Sequence, residues 1–155
     1  RALAGDLSRE VLAAARGQVG ARATDAGPVA LLCFDALRAP FADRSVDVVT
    51  CSLALHHFPP DAARTVLREL GRVTRRALIV SDLERCWPGY LGARLLAAIL
   101  RNPMTHHDAP VSVLRAYTAP ELRRLAAEAG LTGARVVRRF PFRLVLVWHP
   151  AGPGG

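Results

Sequence analysis

VDVVTCSLALHHFPP, residues Val46 to Pro60, runs from an apolar segment into two adjacent histidines, Phe58 and two prolines. Its first six residues, Val46 to Cys51, have the β-branched, nearly continuous apolar character of a strand covered on both faces, as in parallel sheets packed between helices. In such sheets ligands lie beyond the carboxyl ends of the strands. Ser52 to Pro60 therefore reads as the place where a parallel strand ends and its edge opens onto a ligand site, rather than as an ordinary turn.

Working outward, short β-rich runs alternate with helical patterns, which predicts an α/β architecture. Ala2 to Gly5 is an apolar run ended by Asp6, and LSREVLAAARGQ follows with Ser8 as N-cap and Val11, Leu12 and Ala15 on one face. PVALLCF, Pro28 to Phe34, is a second strand closed by Asp35. After the histidines, PPDAARTVLRELGRV sets Ala63, Val66, Leu67 and Leu70 at i, i+3, i+4 and i+7 of a helix, with Gly71 near its end. RALIVSD, Arg76 to Asp82, is a fourth strand that again stops at an acid. TAPELRRLAAEAGL predicts a helix with Thr118 as N-cap, Glu121 as capping-box partner and Gly130 as its stop. ARVVRRF and FRLVLVWH, parted only by Pro141, predict a closing antiparallel pair. Residues 1–150 read as one domain, 83–117 as a lid or insertion within it, and 151–155 as a frayed tail.

At 155 residues and 51% hydrophobic, the chain can bury a core without disulfides or a metal staple. Its formal charge of +8 invites a nucleic-acid partner. All 21 cationic residues are Arg, however, dispersed as short pairs such as Arg75/Arg76 with few aromatics between them to stack on bases. The expectation is a solvated basic surface and no nucleic acid. Cys33, Cys51 and Cys86 cannot all pair and form no CxxC, which suits a reducing cytoplasm. No signal peptide is visible, and the longest apolar stretch, YLGARLLAAIL, is about half the ~20 residues that span a bilayer, so no integral membrane association is expected. HxxxH spacing is also absent, and no metal site is expected.

Asp6, Asp35, Ser52 to His57 and Asp82 all fall at strand ends, so polar residues gather on one rim. A carboxylate there can accept hydrogen bonds from two ribose hydroxyls. It can equally cap the helix that follows, and Asp6 and Asp35 each carry both readings.

In order and spacing, LAGDLSREVLAAAR, FDALRAPFADRSVDVVTCSLALHHF, VLRELGRVTRRALIVSDL and YTAPELRRLAAEAGL resemble the class I S-adenosylmethionine-dependent methyltransferases, especially the small-molecule branch that includes quinone-biosynthesis methyltransferases. The resemblance covers Ala2 to about His149. It implies a Rossmann-like doubly wound sheet, mostly parallel, with an antiparallel C-terminal hairpin. It also implies S-adenosyl-L-methionine as cofactor: Asp6 holding the ribose hydroxyls, Leu7 lining the adenosine pocket, Asp35 accepting from the adenine amino group, the backbone of Ala36 meeting the ring, and Ser52 and Leu53 near the methionine end. The implied reaction is methyl transfer to oxygen or carbon of a small apolar acceptor of phenol or quinone type. The competing class is a degenerate methyltransferase-like domain that serves as a non-catalytic interaction module.

Two departures from the family pattern stand out. The family's first strand and glycine-rich turn would precede Arg1, so the chain reads as beginning inside a longer protein, and by itself is expected to bind the cofactor poorly. The usual Pro-Gly-Gly turn before the fifth family strand is replaced by VTRRAL.

Candidate proton acceptors are His56 and His57, beside the expected point of methyl delivery, and His107 with Asp108 as an oriented base in the lid segment. The bland alternative for His56 and His57 is structural: one histidine packs and bonds to backbone while Phe58 fills the core and the prolines start a helix.

Overall fold

The computed structural model describes residues 2–21, 29–100 and 110–151, and the chain divides into two compact units, Arg1–Pro40 and Phe41–Gly155. The first is a β-α-β unit of strand β1 (Ala2–Asp6), helix α1 (Arg9–Ala21) and strand β2 (Val29–Cys33). β1 and β2 pair in parallel from Ala2 opposite Val29 to Asp6 opposite Cys33, and α1 packs on both. Ser8 caps α1 as the spacing predicts, its hydroxyl accepting from the Val11 N–H at 3.2 Å.

The second unit holds β3 (Val46–Ser52), a 3-10 turn (Leu55–His57), α2 (Pro60–Val73), β4 (Thr74–Leu83), α3 (Trp87–Leu100), a helical stretch α4 (110–115), α5 (Ala119–Glu128), β5 (Arg135–Arg139) and β6 (Arg143–Trp148). Its sheet order is β3-β4-β6-β5. β3 and β4 run parallel, while β6 is antiparallel to both β4 and β5, which is the antiparallel C-terminal hairpin that the sequence predicts. The core forms where Ala63, Val66 and Leu67 of α2 and Leu122, Leu125 and Ala126 of α5 meet the sheet, whose Leu78, Val80, Leu144 and Leu146 are wholly excluded from solvent. The α5 capping box is present: the Thr118 N–H and hydroxyl both reach the Glu121 carboxylate at 2.8 Å. Gly130, at φ +84°, turns the chain out of that helix while the Leu131 N–H closes back on the Ala126 carbonyl.

α2 ends at Val73, two residues past Gly71 as the sequence predicts, and passes into β4 without a loop. Gly71 is there for closeness: a Cβ at this position would sit 2.6 Å from Cδ2 of the buried Leu131. Replacing Gly71 by Ala is expected to lose about 1 kcal/mol in urea denaturation, because overpacking of about 1–3 kcal/mol outweighs the helix-propensity gain of about 1 kcal/mol.

The replacement of the family's turn by VTRRAL is explained at the same junction. Thr74 is fully buried, its hydroxyl donating to the Leu70 carbonyl at 2.6 Å, so the last helical turn is capped by the first residue of the strand.

One expectation changes, that of cover. Continuous apolar runs predict strands buried on both faces, and β4 meets that at alternate positions, but Leu3, Leu32 and Val48 are more than a third exposed. β1, β2 and β3 each have a single ladder partner among the described residues, and an edge strand shields its side chains less than a central one.

Candidate functional site

In the first unit, the parallel pairing carries Asp6 and Asp35 to one edge, since Asp6 lies opposite Cys33 and the Phe34 N–H donates to the Asp6 carbonyl at 3.1 Å. Each carboxylate commits one oxygen to a local turn. Asp6 Oδ1 accepts from the Ser8 N–H at 2.8 Å, and Asp35 Oδ1 from the Leu37 N–H at 2.9 Å. These are local turns rather than helix caps: the Ser8 N–H belongs to the residue that caps α1, and no helix follows Asp35 before β3. Their second oxygens have no partner among the described residues, and a carboxylate with a held orientation and a free oxygen is suited to accept from ribose or amino groups. Leu7, 68% exposed, adds an apolar face on the same edge, and Ala36 stands at the turn after Asp35. These residues fit the adenosine half of S-adenosylmethionine.

In the second unit, β3 ends at Ser52 and the backbone turns sharply. Leu53 takes φ +53°, a left-handed conformation that costs a non-glycine residue about 1 kcal/mol or more, and its N–H is held by the Ser81 carbonyl at 2.9 Å. This bend drops the chain into the 3-10 turn bearing both histidines.

His56 and His57 then part company. His56 is 5% exposed, and its ring Nδ1 lies 2.6 Å from Asp82 Oδ1 while its backbone N–H donates to Asp82 Oδ2 at 3.0 Å. The Leu83 N–H also donates to Asp82 Oδ1, at 2.7 Å. Burial alone would raise the Asp82 carboxyl, but the bonds from the His56 ring and the two backbone N–H groups outweigh it and hold the group below its ordinary value. An ionised carboxylate only accepts, so Nδ1 of His56 carries a proton toward Asp82 and Nε2 is the ring nitrogen turned away from that pair. The His57 ring lies tilted against it, 4.1 Å between ring centroids, but is itself exposed. Partial burial, then the neighbouring His56 and Arg115, push the His57 pKa down, so it is neutral at pH 7.

Both histidines line a groove of about 360 Å³, within the range of small-molecule sites. Tyr117 lines it too, and its hydroxyl donates to the Phe58 carbonyl at 2.5 Å, tying the loop after β3 to the chain beyond α4. Burial and the charges of Glu121 and Asp82 raise the Tyr117 pKa, which keeps that donor protonated. Cys51, one residue before Ser52, is no nucleophile: burial and then the charge of Asp82 push its thiol up to about 11.

The structure thus gathers Asp6, Leu7, Asp35 and Ala36 on one strand edge, and Ser52, Leu53, His56 and His57 at the end of β3. His107 and Asp108 lie outside the described residues. Sequence reasoning noted Asp82 as an acid at a strand end but missed its hold on His56. The signal lies in strand adjacency, because Ser52 pairs with Ser81 and so sets Asp82 beside the departing loop.

A β-α-β unit with carboxylates at the ends of its parallel strands, and a mixed sheet closed by an antiparallel hairpin, are the elements of a Rossmann-like α/β fold, a class that binds nucleoside-bearing ligands. The chain belongs to the methyltransferase domain family, whose sequence profile matches residues 1–79. The cofactor of this family is S-adenosylmethionine.

Solved structures agree on the fold. A SAM-dependent methyltransferase from Aquifex aeolicus aligns with TM-score 0.66 and 18% identity over 96% of this chain and 68% of its own. A Pyrococcus horikoshii OT3 protein gives 0.69 and 18% over 97% and 72%. Magnesium protoporphyrin IX methyltransferase from Synechocystis PCC 6803, solved with bound SAH, gives 0.64 and 18% over 96% and 64%. Across eight such matches the chain spans between 42% and 72% of the other protein's length. No curated protein sequence matches it. No helix among the described residues is long and apolar enough to cross a membrane.

Proposed function

We propose that the protein transfers a methyl group from S-adenosylmethionine to a hydroxyl oxygen of a small acceptor with an apolar body, of phenol type. The observation that supports this most is the His56–Asp82 pair at the end of β3, in a chain of the methyltransferase domain family.

In this reading Asp6 and Asp35 of the first unit hold the adenosine, with Leu7 against the base and Ala36 offering backbone. When bound, S-adenosylmethionine supplies a sulfonium methyl carbon for in-line displacement, with the thioether as leaving group. The protein's part is to position the acceptor and exclude water. His56, its Nδ1–H fixed on Asp82, uses Nε2 to take the hydroxyl proton as the oxygen becomes the nucleophile. His57 and Phe58 line the groove in which the acceptor body lies. Methylation on carbon, as in quinone-type acceptors, would use the same proton acceptor on the ring hydroxyl that activates the carbon.

Calorimetric titration of the full-length protein with S-adenosylhomocysteine tests the first half of the reading, and the absence of binding would sink it. Asp6→Ala is expected to weaken that binding by about 1–3 kcal/mol, the cost of polar groups left unpaired. Unchanged affinity would remove Asp6 from the site. Labelled methyl donor with a panel of phenols, quinones and amines then tests the acceptor class.

A further inference from the structure

We infer that the groove beside His56 takes an acceptor bearing an anionic oxygen group, a carboxylate or phosphate, next to its apolar body. This names the substrate class of the site proposed above and rests on that reading.

The lining has two parts. Phe58, Leu114 and Leu125 supply apolar surface that an aromatic or aliphatic body can cover. Around them stand three guanidiniums, Arg85, Arg115 and Arg124, against one carboxylate, Glu121. That carboxylate is already occupied: it accepts the Thr118 N–H and hydroxyl at 2.8 Å and pairs with Arg85 at 2.5 Å. Burial would raise its pKa, but these bonds prevail and hold it ionised. Arg85 and Glu121 therefore cancel.

Arg115 and Arg124 do not cancel in the same way. Arg115 has no carboxylate partner among the described residues. Arg124 reaches Glu128 only at 3.6 Å, and that glutamate is shared with Arg64 at 3.3 Å. His57, neutral at pH 7, adds no compensating charge of either sign. The groove is thus an apolar surface under a positive field, with planar forks that match carboxylate or phosphate oxygens. A neutral phenol would satisfy the surface and leave both guanidiniums unmatched.

The test uses full-length protein labelled with ¹⁵N and three probes of one shape: benzoate, phenyl phosphate and benzamide. Expected are saturable amide shifts at Phe58, Leu114, Tyr117 and Leu125 with at least one anionic probe, and affinity about tenfold lower for benzamide. Arg115→Gln with Arg124→Gln is expected to weaken the anionic probe about tenfold, and Arg115→Lys with Arg124→Lys, which keeps the charge, to restore part of that loss. Benzamide binding as tightly as benzoate and phenyl phosphate, shifts confined to other arginine-rich surfaces, or a Gln double variant with unchanged affinity would each overturn the inference. Whichever anion binds tighter separates a carboxylate acceptor from a phosphate one. Titration of S-adenosylhomocysteine on the same sample keeps the two claims apart: its failure with anion binding retained removes methyl transfer and supports the groove, and the converse overturns the groove alone.

Discussion

Asp82→Ala is expected to destabilise the protein by about 3–5 kcal/mol in urea denaturation, a large share of a typical domain's stability. Three donors lose their acceptor at once: the His56 ring, the His56 N–H and the Leu83 N–H. The first two are buried, and an unsatisfied buried polar group costs about 1–3 kcal/mol. The effect has a pH signature with a definite sign. The native Asp82 carboxyl titrates below its ordinary value of 3.8, so its stabilisation is complete above that pH and is lost as pH falls below it toward the lower native value. Asp82→Asn, of nearly the same shape, is expected to lack that loss. A variant with the same acid limb as the parent would show that Asp82 is not the group responsible.

His56→Ala is expected to lower turnover on a hydroxyl acceptor by about 10²–10⁴-fold while leaving the KM for S-adenosylmethionine little changed. The two parts follow from separate residues in the function proposed above: the His56 ring would remove the proton, and Asp6 and Asp35 would hold the cofactor. Because His56 is buried against Asp82, the variant also loses stability, so the decisive measurement is turnover on protein shown by circular dichroism to be folded, with and without added imidazole. Imidazole should restore part of the lost turnover in the variant and leave the parent unchanged. Turnover within a few-fold of the parent would assign the histidine to the loop's structure alone.

Much of this was legible before any coordinates. The acids closing β1 and β2, Ser8 as a cap, the Thr118–Glu121 box and the Gly130 stop are all local events, decided within a few residues of chain. What escaped depends on neighbours distant in sequence. The place of Gly71 near the end of α2 is local, but its closeness to Leu131, sixty residues on, is not. Val48 looks buried until β3 is found with one ladder partner among the described residues. The two histidines are equivalent as letters, and only the parallel register of Ser52 with Ser81 gives one of them a carboxylate. Arg85, Arg115 and Arg124 are likewise three arginines among 21 until the packing of α5 brings them round one groove.

The seamless passage from α2 into β4 has a further consequence. With no slack between Val73 and Thr74, the winding of the helix acts as a gear for the strand, since a side chain's direction along β4 is indexed to the rotation at which α2 finishes. One residue added at that seam would flip the strand by half a turn, sending Leu78, Val80 and Asp82 outward together. A ten-residue strand that delivers its carboxylate to His56 is thus aimed from its far end, by a threonine that never touches the histidine.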